Sequence, residues 1–195
     1  MRAIVFDIEA AAKRGGQICQ LAYLTADGGR IVGKNMFFSV DEVSESAYEV
    51  HHMSVEMLRA LSGGAVFADR VQEILRDFEN ADLLVGHNVS ADMNYLKCEL
   101  ERLNMPPIEK PTFCTMNHFT PILKLRQRVK WSRSPKPPKL QELTGHFSLT
   151  EEEISQKVRL WFGCTAAAHD ARYDAAATLL CVLEGIGRGE MENIL

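Results

Sequence analysis

Four acids and one histidine stand in segments that would bury them. Asp7 and Glu9 lie in IVFDIEA, Asp92 in LVGHNVSADMNYL, and Asp174 in AAHDARYDAAATLL, with His169 five positions before it. A buried carboxylate is costly unless it is paired or binds metal. Four brought together would repel one another, and divalent cations make such a cluster tolerable. Asp7 and Glu9 are two apart in a strand-like segment, so their side chains share a face, with Ile4, Phe6 and Ile8 on the other. Two carboxylates on a rigid strand offer hard oxygen ligands suited to Mg²⁺ or Mn²⁺.

The other groups say less by themselves. Asp92 falls in the first turn of an expected helix, where an acid commonly serves as a cap or dipole partner. Taken alone, that is the stronger reading. Asp174 sits beside Ala175, Ala176 and Ala177, small residues that let a helix approach a sheet closely. Five positions correspond to about 140° around a helix. His169 and Asp174 therefore cannot share a helical face, which puts His169 on the loop or cap before the helix. An imidazole there suits a general base, because it titrates near neutral pH. A surface histidine beside Asp170 is the plainer account. His87 and Asn88 read as structural, tying a strand-to-helix turn through side-chain hydrogen bonds.

These groups need elements to hold them. Residues 2–9 are apolar and β-branched, as in a central strand. Residues 17–26 and 30–40 follow as a meander, joined at the turn Asp27-Gly28-Gly29. Ser54 caps a short helix that stops at Gly63-Gly64. Residues 66–80 carry a 3.6-residue apolar period, and 82–86 form a short buried strand. Asn88 or Ser90 caps a helix running to about Leu103, ended by Pro106-Pro107. Residues 113–125 read as a short strand running into a helix. The proline-rich segment WSRSPKPPK is a loop. KLQELTGHF reads as a short helix closed by Gly145, LTEEEISQKV as another capped by Thr150, and 168–187 as the last long helix. Three strands, then helices alternating with strands, indicate a mixed α/β sheet covered on both faces.

A chain of 195 residues suits one domain with a full core. With 46% hydrophobic and 25% charged residues, disordered and fibrous classes are excluded. The net charge of −4 does not advertise nucleic-acid binding, but its distribution is uneven. Residues 110–140 hold eight Lys/Arg and no acid, leaving −12 for the rest. Such a basic stripe is compatible with phosphate contact, and equally with a solvated surface segment. The five cysteines show no paired or zinc-type spacing, as in reduced thiols. With no signal-type leader and no membrane-spanning apolar run, a cytoplasmic protein is expected.

The motifs together resemble the DEDD (DnaQ-like) 3′–5′ exonucleases. FDIE is similar to that family's first motif, LVGHNVSAD to its second, and HDARYDA to its third, a histidine and an acid with four residues between them. The sister subtype has tyrosine where this chain has Asp170, so the catalytic-histidine (DEDDh) subtype is indicated. AYEVHHMS and PKLQELTGHF resemble secondary family segments, and the likeness covers roughly residues 2–186. It implies a single exonuclease domain over 1–195 with a basic proline-rich loop near 130–139, on a ribonuclease H-like five-stranded sheet. It implies two Mg²⁺ or Mn²⁺ held by Asp7, Glu9, Asp92 and Asp174, with His169 taking the proton of the attacking water. Nucleic acid with a free 3′ end, single-stranded DNA or RNA, would yield 5′-mononucleotides. The basic segment 124–139 would hold the strand, with Trp131 as a stacking partner or a loop anchor.

Two departures stand out. Ala10, Ala11 and Ala12 replace the family's usual Thr-Thr/Ser-Gly, which contacts the terminal nucleotide, and Ala91 replaces an aromatic. Neither removes a metal ligand. A catalytically silent binding module is disfavoured because all five chemical positions are present. Ribonuclease H and integrases lack the Asp-x-Glu pair combined with the final histidine and acid. A polymerase proofreading subunit carries a clamp-binding peptide and a polymerase-binding tail that GRGEMENIL does not resemble, so a stand-alone exonuclease is expected, as monomer or homodimer.

Overall fold

The computed structural model describes residues 1–13, 15–127 and 134–195. Its centre is a largely buried strand near the start of the chain. Strand β1 (Arg2–Ala10) has β2 (Ile18–Asp27) antiparallel on one side and β4 (Leu83–Gly86) parallel on the other. Strand β3 (Arg30–Phe37) extends the sheet beyond β2, and β5 (Thr112–Cys114) beyond β4, giving the order β3-β2-β1-β4-β5. The β2–β3 hairpin turns through Gly28 and Gly29, both at positive φ (55° and 82°), where a side chain would be strained.

Alternation along β1 divides the core in two. Ile4, Phe6 and Ile8 enter one hydrophobic cluster with Phe78, where Phe6 and Tyr23 both meet the Phe78 ring edge-on. This side is covered by α3 (Phe67–Glu79) and α4 (Val89–Arg102). Val5 and Leu24 enter the other cluster, under α6 (Leu140–His146), α7 (Glu151–Phe162) and α8 (Ala171–Gly187). Helix α8 comes close because Ala175, Ala176 and Ala177 are small and fully buried. Helices α1 (Glu45–His51) and α2 (Val55–Ser62) sit beyond β3, and α5 (Thr115–Leu123) follows β5. Among the described residues no helix is long and apolar enough to cross a membrane. All five cysteines are free thiols.

The expected mixed sheet, its two covered faces and most helices are found, with local differences. Helix α1 was not anticipated; Ser44 caps it through the Ala47 N–H. Strand β3 stops at Phe37 rather than residue 40. Asn88 occupies the position before α4 in a left-handed conformation, and its side chain makes no cap hydrogen bond. Gly145 lies inside α6; the left-handed residue beyond that helix is Ser148 (φ 59°). Helix α8 begins at Ala171, three residues later than expected. Ser54 and Thr150 cap α2 and α7 as expected. Trp131 lies outside the described residues.

Gly33 shows how closely α7 lies on the sheet. A Cβ there would come within 2.5 Å of the Trp161 carbonyl oxygen and 2.9 Å of the Phe162 ring. Backbone cannot yield as a flexible side chain can, so Gly33→Ala is expected to destabilise the protein by about 1–3 kcal/mol. Urea unfolding checks this; an unchanged midpoint would contradict the close approach.

Candidate active site

The register of β1 prepares the site. Its pairing with β4 runs only from Ala3 to Val5, so the end of β1 carrying Asp7 and Glu9 projects past its parallel neighbour. On the other side the ladder with β2 continues, with Asp7 opposite Ala22 and Glu9 opposite Gln20. A register shift follows, Ala10 pairing with Ile18, so that Cys19 is extra. Ligands in open α/β sheets bind beyond the carboxyl ends of strands where the connections diverge, and this is such a place.

Two helices aim their first turns into the gap. Helix α4 brings Asp92, whose charged form is favoured by the backbone N–H groups of Ile8 and of Asp92 itself. Helix α8 brings Asp174, whose charged form is favoured by the backbone N–H of His169. Both helices are entered through a left-handed non-glycine residue, Asn88 (φ 69°) and His169 (φ 67°). The other four such residues among those described, His52, Asn104, Lys124 and Ser148, follow helices instead. The sharp entry turns both helix N-termini, with their unpaired N–H groups, toward the acids.

Asp7, Glu9 and Asp174 are brought together: one carboxylate oxygen from each lies within 4.8 Å of the others. Asp92 stands outside that trio but close enough for its charge to act on Asp7 and Glu9. His169 is exposed on the turn before α8. Burial, and then repulsion from Asp92 and Asp174, drives the Asp7 carboxyl well above its ordinary value. Burial and the neighbouring acids push Glu9 up to about 8. Burial is likewise the main cause that raises Asp174 to about 7, against the stabilising His169 N–H. Asp92 is also raised, chiefly by burial. None of the ion pairs among the described residues involves these four acids. A hard-oxygen set with no protein counter-charge fits a divalent cation.

The sequence reading passed over several supporting residues. His51, buried beside the end of β1, accepts the Met53 N–H at Nδ1 (3.1 Å). Its Nε2 therefore carries the proton; it donates to the Ala10 carbonyl and lies 3.9 Å from Cys19 Sγ. Buried Glu99 accepts the Ile18 N–H (2.7 Å), and Arg102 joins Glu99 to the Gly15 carbonyl. Tyr95 donates to the Ala12 carbonyl (3.3 Å), and Ala11 is buried against Cys19, Val40, Met53 and Leu58. The alanines after Glu9 thus form a packed, pinned loop. His87 ties the β4–α4 turn to Thr115 Oγ1 and the Pro138 carbonyl, both at 3.0 Å, in the structural role expected of it. A cleft of about 570 Å³ opens beside the acids, lined by Lys139, Thr144, Leu149, His169, Tyr173 and Asp174 among others.

Carboxylates converging from a central strand and two helix N-termini stand on a mixed five-stranded sheet consistent with the ribonuclease H-like fold. A family model for exonucleases, RNase_T, matches residues 4–181, and the chain belongs to that family. E. coli exonuclease I, in a zinc-bound complex with single-stranded DNA, superposes with a TM-score of 0.73 at 16% identity, over 96% of this chain and 40% of that one. An exonuclease I from Methylocaldum szegediense gives 0.70 at 16% identity with the same coverage. The nuclease domain of 3'hExo, a DEDDh family member bound to rAMP, gives 0.69 at 9% identity, over 96% of this chain and 92% of that one. The chain thus spans about 40% of the length of the exonuclease I chains. At these identities the likeness shows the fold. A comparison with curated protein sequences returned no match.

The raised acids predict how metal-free protein responds to pH. Glu9 and Asp174 keep protons in the native state up to about 8 and about 7, whereas an unfolded chain loses them near 4.5 and 3.8. The native state binds more protons across that window, so stability falls as pH rises through it. In EDTA the melting temperature should drop by roughly 5 °C between pH 5.5 and 8. Added Mg²⁺ should recover it at pH 8, and Asp174→Asn should flatten the slope. Differential scanning fluorimetry checks this; an equal slope in the variant would contradict the assignment.

Proposed function

We propose that the chain is a metal-dependent 3′–5′ exonuclease of the catalytic-histidine type, releasing 5′-mononucleotides from the 3′ end of single-stranded DNA or RNA. The observation that carries this reading is the half-buried trio of Asp7, Glu9 and Asp174, with Asp92 beside it and His169 on the adjoining turn. The single-stranded DNA in the E. coli exonuclease I complex and the rAMP in 3'hExo support the substrate class.

Asp7, Glu9, Asp92 and Asp174 would hold two Mg²⁺ or Mn²⁺. Such ions, when bound, stabilise charge on a scissile phosphate and make a water acidic enough to attack. His169 then accepts the water's proton on its ring, from an exposed turn that leaves the imidazole room to reach it. Asp174 receives the His169 N–H and so couples the turn to the carboxylates. Lys139, which lines the same cleft as His169, offers a cation to the phosphate backbone. The packed loop of Ala10, Ala11 and Ala12 borders the site without the hydroxyl groups usual there.

Digestion of 3′- and 5′-labelled single-stranded DNA, duplex DNA and short RNA, each with Mg²⁺, Mn²⁺ or EDTA, tests the reading. Mononucleotides should appear first from the 3′ label and only with metal. Asp7→Asn and Asp174→Asn should abolish release while the protein stays folded. His169→Ala should lower kcat by roughly 10²–10⁴-fold with metal binding retained. Wild-type activity in Asp7→Asn would refute the site, and an unchanged rate in His169→Ala would remove the histidine from the chemistry.

A further inference from the structure

We propose that Gln20 is a positioning residue: from the strand beside Glu9 it sets the turn that carries His169. This rests on the hydrolytic reading of the site. Gln20 stands directly opposite Glu9 in the β1–β2 ladder and is fully buried. Both ends of its amide are engaged. Nε2 donates to Asp170 Oδ1 (2.9 Å) and to Asn35 Oδ1 (2.8 Å), and Oε1 accepts the Ala171 N–H (3.3 Å). The partners fix the amide's orientation, since a carboxylate can only accept and a backbone N–H can only donate. Asn35 on β3 is the diagonal neighbour that braces the amide from behind.

Two of these bonds cross from the sheet to the two residues that follow His169. Asp170 is also the N-cap of α8, accepting the Arg172 N–H at 3.0 Å. The Arg172 guanidinium grips the same carboxylate twice, Nε to Oδ1 at 2.8 Å and Nη2 to Oδ2 at 2.5 Å. Arg172 is itself held, over the Phe37 ring at 5.3 Å and against Cys164 Sγ at 3.1 Å. Asp170 therefore brings its own counter-charge, unlike the four acids of the site. The two residues after His169 are held by Gln20 and Arg172.

A buried amide is an expensive way to fill space; an apolar side chain of similar volume would do so without a hydrogen-bonding requirement. What the amide adds is direction. It ties the β2 position beside Glu9 to the turn 150 residues later, so that imidazole and carboxylates keep one relative placement. Misplacement by about 1 Å can cost on the order of 10²-fold in rate.

The test uses Gln20→Met, which keeps size and removes both bonds, and Gln20→Glu, which keeps shape and sets a second carboxylate against Asp170. In Gln20→Met kcat should fall roughly 10- to 100-fold, with KM and the Mg²⁺ midpoint within about 3-fold of wild type. Gln20→Glu should lose more. The double variant with His169→Ala should be no slower than His169→Ala alone, because both changes act on one group. Multiplicative losses, or a wild-type kcat in Gln20→Met, would overturn the proposal. If Gln20→Met is too unstable to assay, Asn35→Ala, which removes only the brace, must show the same kcat-specific loss. An inactive wild type would instead sink the hydrolytic reading. An active wild type with unchanged His169→Ala would show that Gln20 has no base to position.

Discussion

The structure depends on how several carboxylates can be kept together in a largely water-free place. Asp7, Glu9, Asp92 and Asp174 are each raised by burial, and their own charges add to the penalty. The surrounding architecture lowers that cost without cancelling it. Strand β1 outruns β4, which opens a gap rather than continuing the sheet. Helices α4 and α8 point their N-termini into it, and the backbone N–H groups of Ile8 on β1 and of His169 before α8 favour the charged forms of Asp92 and Asp174. Apolar clusters on both faces of the sheet keep these elements from relaxing apart. The remaining charge suits a cation, and an ion bound there would become part of the folded structure's electrostatics.

Charge inside this region is sorted by distance of a few ångströms. Asp170 lies near enough to act on Asp7, Glu9 and Asp174, yet it is neutralised by Arg172 and used as a cap. Glu99 is buried too, but it is spent on the Ile18 N–H and Arg102. Each buried acid outside the cluster has a backbone or guanidinium partner, and each acid inside it does not have a cationic one. That division separates the acids held in structural pairs from the converging four more clearly than burial does.

How much of this was legible in the sequence varies by residue. Asp7 and Glu9 could be paired from strand periodicity, because alternation is strict over a short rigid element. The separation of His169 from Asp174 followed from helix geometry, and the structure places His169 before α8. Asp92 gave no local sign, since the end of β1 it approaches is set by tertiary packing. Gly145 was read as a helix stop, but Ser148 takes the left-handed conformation, so composition pointed to the wrong residue by three positions. Helix α1 was hidden because its seven residues bury only Ala47 and His51. Gln20 had one faint signal, a lone amide in an apolar strand, and its partners at 35, 170 and 171 lie too far along the chain for any local pattern to announce them.

The backbone at His169 bears on how such a site drifts. A left-handed conformation costs an ordinary L-residue roughly 1–2 kcal/mol, and glycine nearly nothing. For a population of variants selected only to stay folded, position 169 therefore slopes toward glycine, which would relieve the strain and erase the imidazole together. Hyperstable descendants obtained by heat selection alone are the ones in which this histidine would be lost first. A screen that rewards thermal survival and never assays turnover would select against the imidazole at this position.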